Sequence, residues 1–188
     1  MRVITSGKFT YCPVYKNGYT TFTQFFLSNG WTEVDLEDVA DDSLLFGHIQ
    51  DPDKRHTKGV AEYFLTSGIV DIDDRYAPLV VGIFDTHTVP ITGLYPDHYD
   101  RIHWILMETV IGGRKFSCNE LTNFFFHKNN IPLKVSDEDI KNNSDPDKIR
   151  LQETVRKLKE KHQKVFKELY SHLMMEDRRL YFQAMSPG

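Results

Sequence analysis

Two junctions between an apolar, strand-like run and an amphipathic, helix-like run constrain the fold of this chain most. Residues 9–14 form the first apolar run and residues 20–29 the first amphipathic one, and residues 44–49 and 53–65 repeat this order. A strand followed by a helix, twice over, is typical of an α/β sheet with parallel strands. We therefore expect a single α/β domain with a central parallel sheet flanked by helices.

Each junction also brings the start of a helix directly to the end of a strand. The two connecting segments are residues 15–21 and residues 50–55. The first N–H groups of a helix have no partner within the helix and carry partial positive charge, so a helix N-terminus can hold an anion. Two such termini at the ends of two strands suit a ligand with two separate phosphate-like groups.

The residues at these junctions resemble segments of the carbohydrate-type sulfotransferases. Residues 16–21, Lys-Asn-Gly-Tyr-Thr-Thr, resemble the loop that holds the 5′-phosphosulfate of 3′-phosphoadenosine 5′-phosphosulfate (PAPS). Residues 50–55, Gln-Asp-Pro-Asp-Lys-Arg, are similar to the Arg-Asp-Pro-x-x-Arg segment that grips the 3′-phosphate. Residues 85–90, Asp-Thr-His-Thr-Val-Pro, and residues 101–108 resemble two further elements, and all four follow the family's order.

The resemblance implies a P-loop-like sulfotransferase fold and transfer of a sulfuryl group from PAPS to a hydroxyl of a saccharide or small metabolite. Charge builds on the leaving oxygen during such a transfer, so Lys16 is the expected catalytic cation. No metal is expected, because the histidines and cysteines lack paired ligand spacings. The residues expected to bind PAPS are Lys16, Asn17, Gly18, Tyr19, Thr20, Thr21, Gln50, Arg55 and Lys58.

Two positions depart from the family's pattern. Gln50 stands where the family has arginine, and Lys58 stands where it has serine. Glutamine donates hydrogen bonds but cannot supply the charged, bidentate fork of arginine. Lys58 could restore the missing charge, and Thr57 the missing hydroxyl. The departures leave open an alternative, a non-catalytic, degenerate relative that binds a nucleotide or a phosphorylated ligand.

A sulfotransferase also needs a general base to take the proton of its acceptor. His87 is the first candidate, because Asp85 lies two residues before it and can orient its imidazole. Residues 71–74 are predicted to start a helix that continues through residues 76–84 and leads into this loop. His48 is the second candidate, although its place in an apolar strand also fits a hydrogen-bonded core histidine. The remaining candidates are His56, Glu33 and Asp35.

Composition and charge exclude several partners. The 188 residues fit one domain over residues 1–188, and the net charge of −4 argues against a general nucleic-acid binder. The longest apolar run, residues 78–84, is too short to span a bilayer, and the first eight residues do not resemble a signal peptide. We therefore expect a cytoplasmic protein with no membrane or nucleic-acid partner and a saccharide or other small molecule as acceptor.

The C-terminal third is predicted to contain a loop and a long helix. Residues 134–148 are polar and are predicted to form a mobile loop. Residues 149–173 are predicted to form one helix, and its apolar stripe could be a homodimer seam or the surface of an interaction protein. The stripe recurs at steps of four or three residues through Leu151, Val155, Leu158, His162, Val165, Leu169 and Leu173.

Overall fold

The computed structural model describes residues 1–139, 145–164, 167 and 174–186. Seven strands are described: β1 Arg2–Thr5, β2 Phe9–Tyr11, β3 Thr32–Asp35, β4 Leu44–Ile49, β5 His103–Leu106, β6 Glu108–Ile111 and β7 Arg114–Ser117. The described α-helices are α1 Tyr19–Ser28, α2 Pro52–Thr66, α3 Ile91–Leu94, α4 Cys118–Lys128, α5 Pro146–Lys161 and α6 Met175–Met185.

The central sheet has five strands in the order β3-β1-β2-β4-β5, and β6 and β7 form a separate hairpin. The α/β class and the single domain with a flanked central sheet are confirmed, but the prediction of a parallel sheet is wrong. Strands β2, β4 and β5 run parallel, whereas β1 is antiparallel to both β2 and β3. Only three residues separate β1 from β2, with Gly7 at φ 90°, and so short a connection permits only antiparallel pairing.

Helices cover the sheet on both faces. One apolar cluster joins sheet residues such as Ile4 to Phe22 of α1 and Phe126 of α4, and a second joins Val3 to Ile91 of α3 and Leu180 of α6. Since neighbouring residues of a strand point to opposite faces, Val3 and Ile4 divide between the two clusters. The loops that connect β2 to α1 and β4 to α2 lie at the carboxyl ends of these two strands.

The helix predicted for residues 149–173 is interrupted at His162, beyond which the described residues 163, 164 and 167 are again helical. Helix α5 begins at Pro146, inside the predicted loop, because Asp145 caps it and proline suits the first helical position. The helix ends at Lys161, since His162 leaves helical geometry at φ −109° and ψ 29° and its ring contacts Asp74 at 3.3 Å. Parts of both predicted segments, residues 140–144 and residues 165, 166 and 168–173, lie outside the described residues.

The first part of the predicted apolar stripe is buried inside the chain. Leu151, Val155 and Leu158 of α5 pack against Val60 and Phe64 of α2 in a third apolar cluster. These three side chains therefore serve the packing of α5 on α2. The homodimer stays a prediction, and its seam would need residues other than these.

Residues 71–84 do not form the predicted helix. A single 3-10 turn spans Asp74–Tyr76, and turns without regular structure follow. Pro78 lacks the N–H that a helix interior needs, and Gly82 disfavours helix on entropic grounds, so this run has weak helical preference. Throughout the described ranges, no helix has the length and apolar character needed to cross a membrane. The cytoplasmic location stays a prediction.

Candidate functional site

The two loops predicted to bind phosphate groups are joined by one side chain. The Gln50 carboxamide donates from Nε2 to the carbonyl oxygen of Lys16 and, at 2.9 Å, to Oδ1 of Asn17. Asn17 in turn donates from Nδ2 to the carbonyl oxygen of His48 at 2.8 Å. The loops thus meet where the parallel neighbours β2 and β4 end, the edge at which open α/β sheets bind ligands.

The start of α1 keeps the features of an anion site. Gly18 caps the helix in the left-handed conformation, at φ 76° and ψ 21°, and no side chain caps it. A Cβ added at Gly18 would lie 2.8 Å from the ring of Phe22, so both conformation and space require glycine there. Tyr19, Thr20 and Thr21 form the first turn, whose N–H groups are thus left without a side-chain cap.

The start of α2 is capped by a side chain of the protein itself. The Asp51 carboxylate accepts hydrogen bonds from the backbone N–H groups of Asp53 at 2.8 Å and Lys54 at 3.3 Å. A carboxylate in this position satisfies the first turn in the way that a bound phosphate would. The structure therefore does not bring an open helix N-terminus to the second loop.

Arg55 ties the loops together from inside. Its side chain is only 1% exposed, and its guanidinium donates to three backbone carbonyls. Nε donates to Tyr15 at 2.9 Å, and the two terminal nitrogens donate to Val89 at 2.7 Å and Thr86 at 3.5 Å. Arg55 thus links the segment before α1 to the segment around His87.

The two residues that depart from the family's pattern contact each other. Lys58 Nζ donates to Gln50 Oε1 at 3.0 Å, and burial lowers the pKa of Lys58. A cleft of about 1230 Å³ opens beside Lys58, between α2 and α5. Its walls carry charges of both signs with an excess of positive charge, from the basic residues Lys54, Lys58, Arg156, Lys159, Lys167 and Arg178 and the acidic residues Asp51, Asp53, Glu153 and Glu160.

His87 borders the first loop and is paired with a carboxylate. Its Nδ1 lies 3.0 Å from Asp85 Oδ2, and its backbone N–H donates to Asp85 Oδ1 at 2.9 Å. Its ring meets the ring of Tyr15 edge-on at 5.0 Å, and Tyr15 stacks on Tyr19 at 4.3 Å. The His87 side chain is 31% exposed. With Nδ1–H held by Asp85, Nε2 is the nitrogen left to accept a proton.

The other candidate bases have structural partners. His48 is fully buried, stacks on Phe22 at 3.9 Å and contacts Thr122 Oγ1 at 2.9 Å through Nε2. His56 contacts the carbonyl oxygen of Gly82 at 2.9 Å. Burial lowers the pKa of each histidine to about 3, so both are neutral at physiological pH. The two carboxylates, Glu33 and Asp35, pair with Arg2 on the strands β1 and β3.

Sequence reasoning missed three charged residues around these loops. Lys16 Nζ pairs with Glu62 Oε2 at 2.9 Å, and Lys148 Nζ reaches the same oxygen at 2.6 Å. Lys159 Nζ bonds Asp53 at 3.1 Å and both His56 and Thr57 at 2.9 Å, which fastens α5 to α2. One signal could have found Glu62, because it follows Lys58 by four residues and so shares its helix face.

The chain matches no protein-family model, and comparison with curated proteins and with solved structures gave no significant match. In the described part of the chain, no group of three or more histidine, cysteine, aspartate or glutamate side chains could hold a metal ion.

Proposed function

We propose that this protein transfers a sulfuryl group from PAPS to a hydroxyl of a saccharide or small metabolite, on a P-loop-like sulfotransferase scaffold. One observation carries the proposal: three segments that are far apart in sequence converge at one sheet edge. Gln50 bonds directly to the loop of Lys16 and Asn17, and His87 lies against Tyr15 of the same loop. These are the segments that resemble the family's donor-binding and active-site elements.

The chemistry assigns one task to each group. The first turn of α1 holds the 5′-phosphosulfate through its N–H groups. His87 Nε2 takes the proton of the acceptor hydroxyl as that oxygen forms its bond to sulfur. The bond between sulfur and the phosphate oxygen breaks, and Lys16 stabilises the charge on the leaving oxygen. The products are a sulfate ester and adenosine 3′,5′-bisphosphate, and the proton resides on His87.

A second candidate function is binding of a nucleotide or phosphorylated ligand without catalysis. It is favoured by the second loop, where Asp51 occupies the start of α2 and Arg55 is committed to backbone carbonyls. Lys54 and Lys58, both on α2, are then the basic residues next to this loop that border the cleft. Turnover of PAPS with a panel of hydroxyl acceptors separates the two candidates, because only an enzyme forms a sulfated product.

Replacing Lys16 by alanine should lower kcat by about 10²-fold or more, the usual scale for removing a group that stabilises developing charge. The measurement is formation of sulfated product from labelled PAPS by the folded variant. Lys157→Ala is the matched control, because Lys157 is an exposed cation on α5 and lies outside both loops. Near-full activity of Lys16→Ala would remove Lys16 from the reaction.

Adenosine 3′,5′-bisphosphate should bind more tightly than adenosine 5′-monophosphate, and Lys58→Met should abolish most of the difference. A hydrogen bond to a charged group is worth roughly 1.5–3 kcal/mol, which corresponds to at least about tenfold in affinity. Isothermal titration of both ligands measures the difference. Equal affinities for the wild-type protein would show that this site does not recognise a 3′-phosphate.

The companion variant restores the family's pattern. Gln50→Arg alone would set a second cation beside Lys58, whose Nζ lies 3.0 Å from the present carboxamide. We therefore combine Gln50→Arg with Lys58→Ser. The double variant should bind adenosine 3′,5′-bisphosphate more tightly by roughly 1–3 kcal/mol if the geometry of the family is kept.

A further inference from the structure

One carboxylate oxygen is shared by two lysines from different parts of the fold. Glu62 Oε2, on α2, lies 2.9 Å from Nζ of Lys16 and 2.6 Å from Nζ of Lys148. Lys16 precedes α1, and Lys148 lies in the first turn of α5. The three side chains are 14%, 27% and 30% exposed for Lys16, Glu62 and Lys148 respectively, so all three are largely shielded from water.

This group of three carries a net positive charge. Burial of Glu62 would raise its pKa, but the hydrogen bonds from Lys148 and Lys16 outweigh burial and lower the pKa to about 2. Burial lowers the pKa of Lys16, and the nearby charge of Lys148 lowers it further, while Glu62 opposes both effects. Two further charges lie near Lys148. Lys58 on α2 is positive and Asp145 before α5 is negative, so their effects on this group oppose each other.

We propose that Glu62 is a counter-ion shared by Lys16 and Lys148. When an anionic group binds at the start of α1, Lys16 turns from Glu62 to that anion, and Lys148 remains paired with Glu62. The identification of this anion as the phosphosulfate of the donor rests on the proposed function, whereas the sharing of the carboxylate does not. Glu62 and Lys148 are positioning residues, since they act on a ligand only through Lys16.

The arrangement lowers the cost of turning Lys16 toward a ligand. If Glu62 had Lys16 as its partner and lacked Lys148, ligand binding would leave a shielded carboxylate without a counter-ion, which is costly. Lys148 removes that cost, because it already contacts the same oxygen. Two substitutions at residues that do not touch the ligand should therefore act in opposite directions.

Glu62→Gln should free Lys16, and Lys148→Met should bind it more firmly to Glu62. We expect Glu62→Gln to tighten binding of adenosine 3′,5′-bisphosphate at pH 7 by about fivefold and Lys148→Met to weaken it by about fivefold, the scale of one partly exposed ion pair. Titration calorimetry measures both changes. Lys157→Met removes a charge from the same helix without touching Glu62, so it should leave the affinity unchanged.

A second readout needs no ligand. NMR titration of isotopically labelled lysine side chains, with Lys16→Arg for assignment, follows the pKa of Lys16. Glu62→Gln should lower this pKa because the amine loses its counter-charge, and Lys148→Met should raise it because a like charge is removed. If these ion pairs were merely structural, both variants would instead lose stability and ligand affinity together.

The outcomes separate the inference from the proposed function. Shifts of the Lys16 pKa in the same direction, or no shift beyond the Lys157→Met control, would overturn the shared counter-ion. Weaker ligand binding in both variants would overturn the exchange of partners. Opposite pKa shifts in a protein that does not bind adenosine 3′,5′-bisphosphate would overturn the proposed function and leave the shared counter-ion standing.

Discussion

His87→Asn is expected to lower the rate of sulfuryl transfer by about 10²–10⁴-fold, the range for loss of a general base. Asparagine can still donate a hydrogen bond toward Asp85, but it has no nitrogen that accepts a proton at neutral pH. Binding of adenosine 3′,5′-bisphosphate should change little, because His87 acts on the acceptor. Rates with saturating PAPS and affinities from calorimetry give the two quantities.

The control for this prediction is His127→Asn, which alters an exposed histidine in the last turn of α4. It should leave the rate unchanged. Asp85→Asn should have a smaller effect than His87→Asn, since Asp85 orients the imidazole but does not take the proton. Near-full activity of a folded His87→Asn variant would exclude His87 as the base and favour binding without catalysis.

Arg55→Met is expected to lower the free energy of unfolding by about 3 kcal/mol or more, because three backbone carbonyls lose a buried donor. Methionine replaces much of the buried volume, but it leaves the carbonyls of Tyr15, Thr86 and Val89 without this donor. Each buried acceptor left unsatisfied costs roughly 1–3 kcal/mol. Urea unfolding followed by circular dichroism measures the change.

Arg150→Met on α5 is the matched control. Arg150 has a side chain that is 58% exposed and pairs with Asp147 at 3.3 Å, so its loss should change stability by no more than about 0.5 kcal/mol. The contrary result would be an Arg55→Met protein that has wild-type stability but no longer binds adenosine 3′,5′-bisphosphate. That result would make Arg55 a ligand contact and contradict its role as a link between loops.

The local structure around both junctions could be predicted from the residues beside them. Helices α1 and α2 begin within one residue of the predicted positions, because glycine and the Asp51-Pro52 pair act on the backbone immediately beside them. The pairing of Asp85 with His87 is equally local, since two residues separate them. Effects of this kind depend on neighbours along the chain, so they can be predicted from the sequence.

The partners of the charged side chains could not be predicted, because they come from distant parts of the chain. Arg55 meets carbonyls that lie from 31 to 40 residues away, and Lys16 meets a carboxylate 46 residues away. Helix α5 likewise supplies Lys148 and Lys159 across long separations. A lysine or arginine has the same sequence signature whether it faces a ligand, a carbonyl or a carboxylate. Its role is set by burial and by the groups that folding brings within hydrogen-bonding distance.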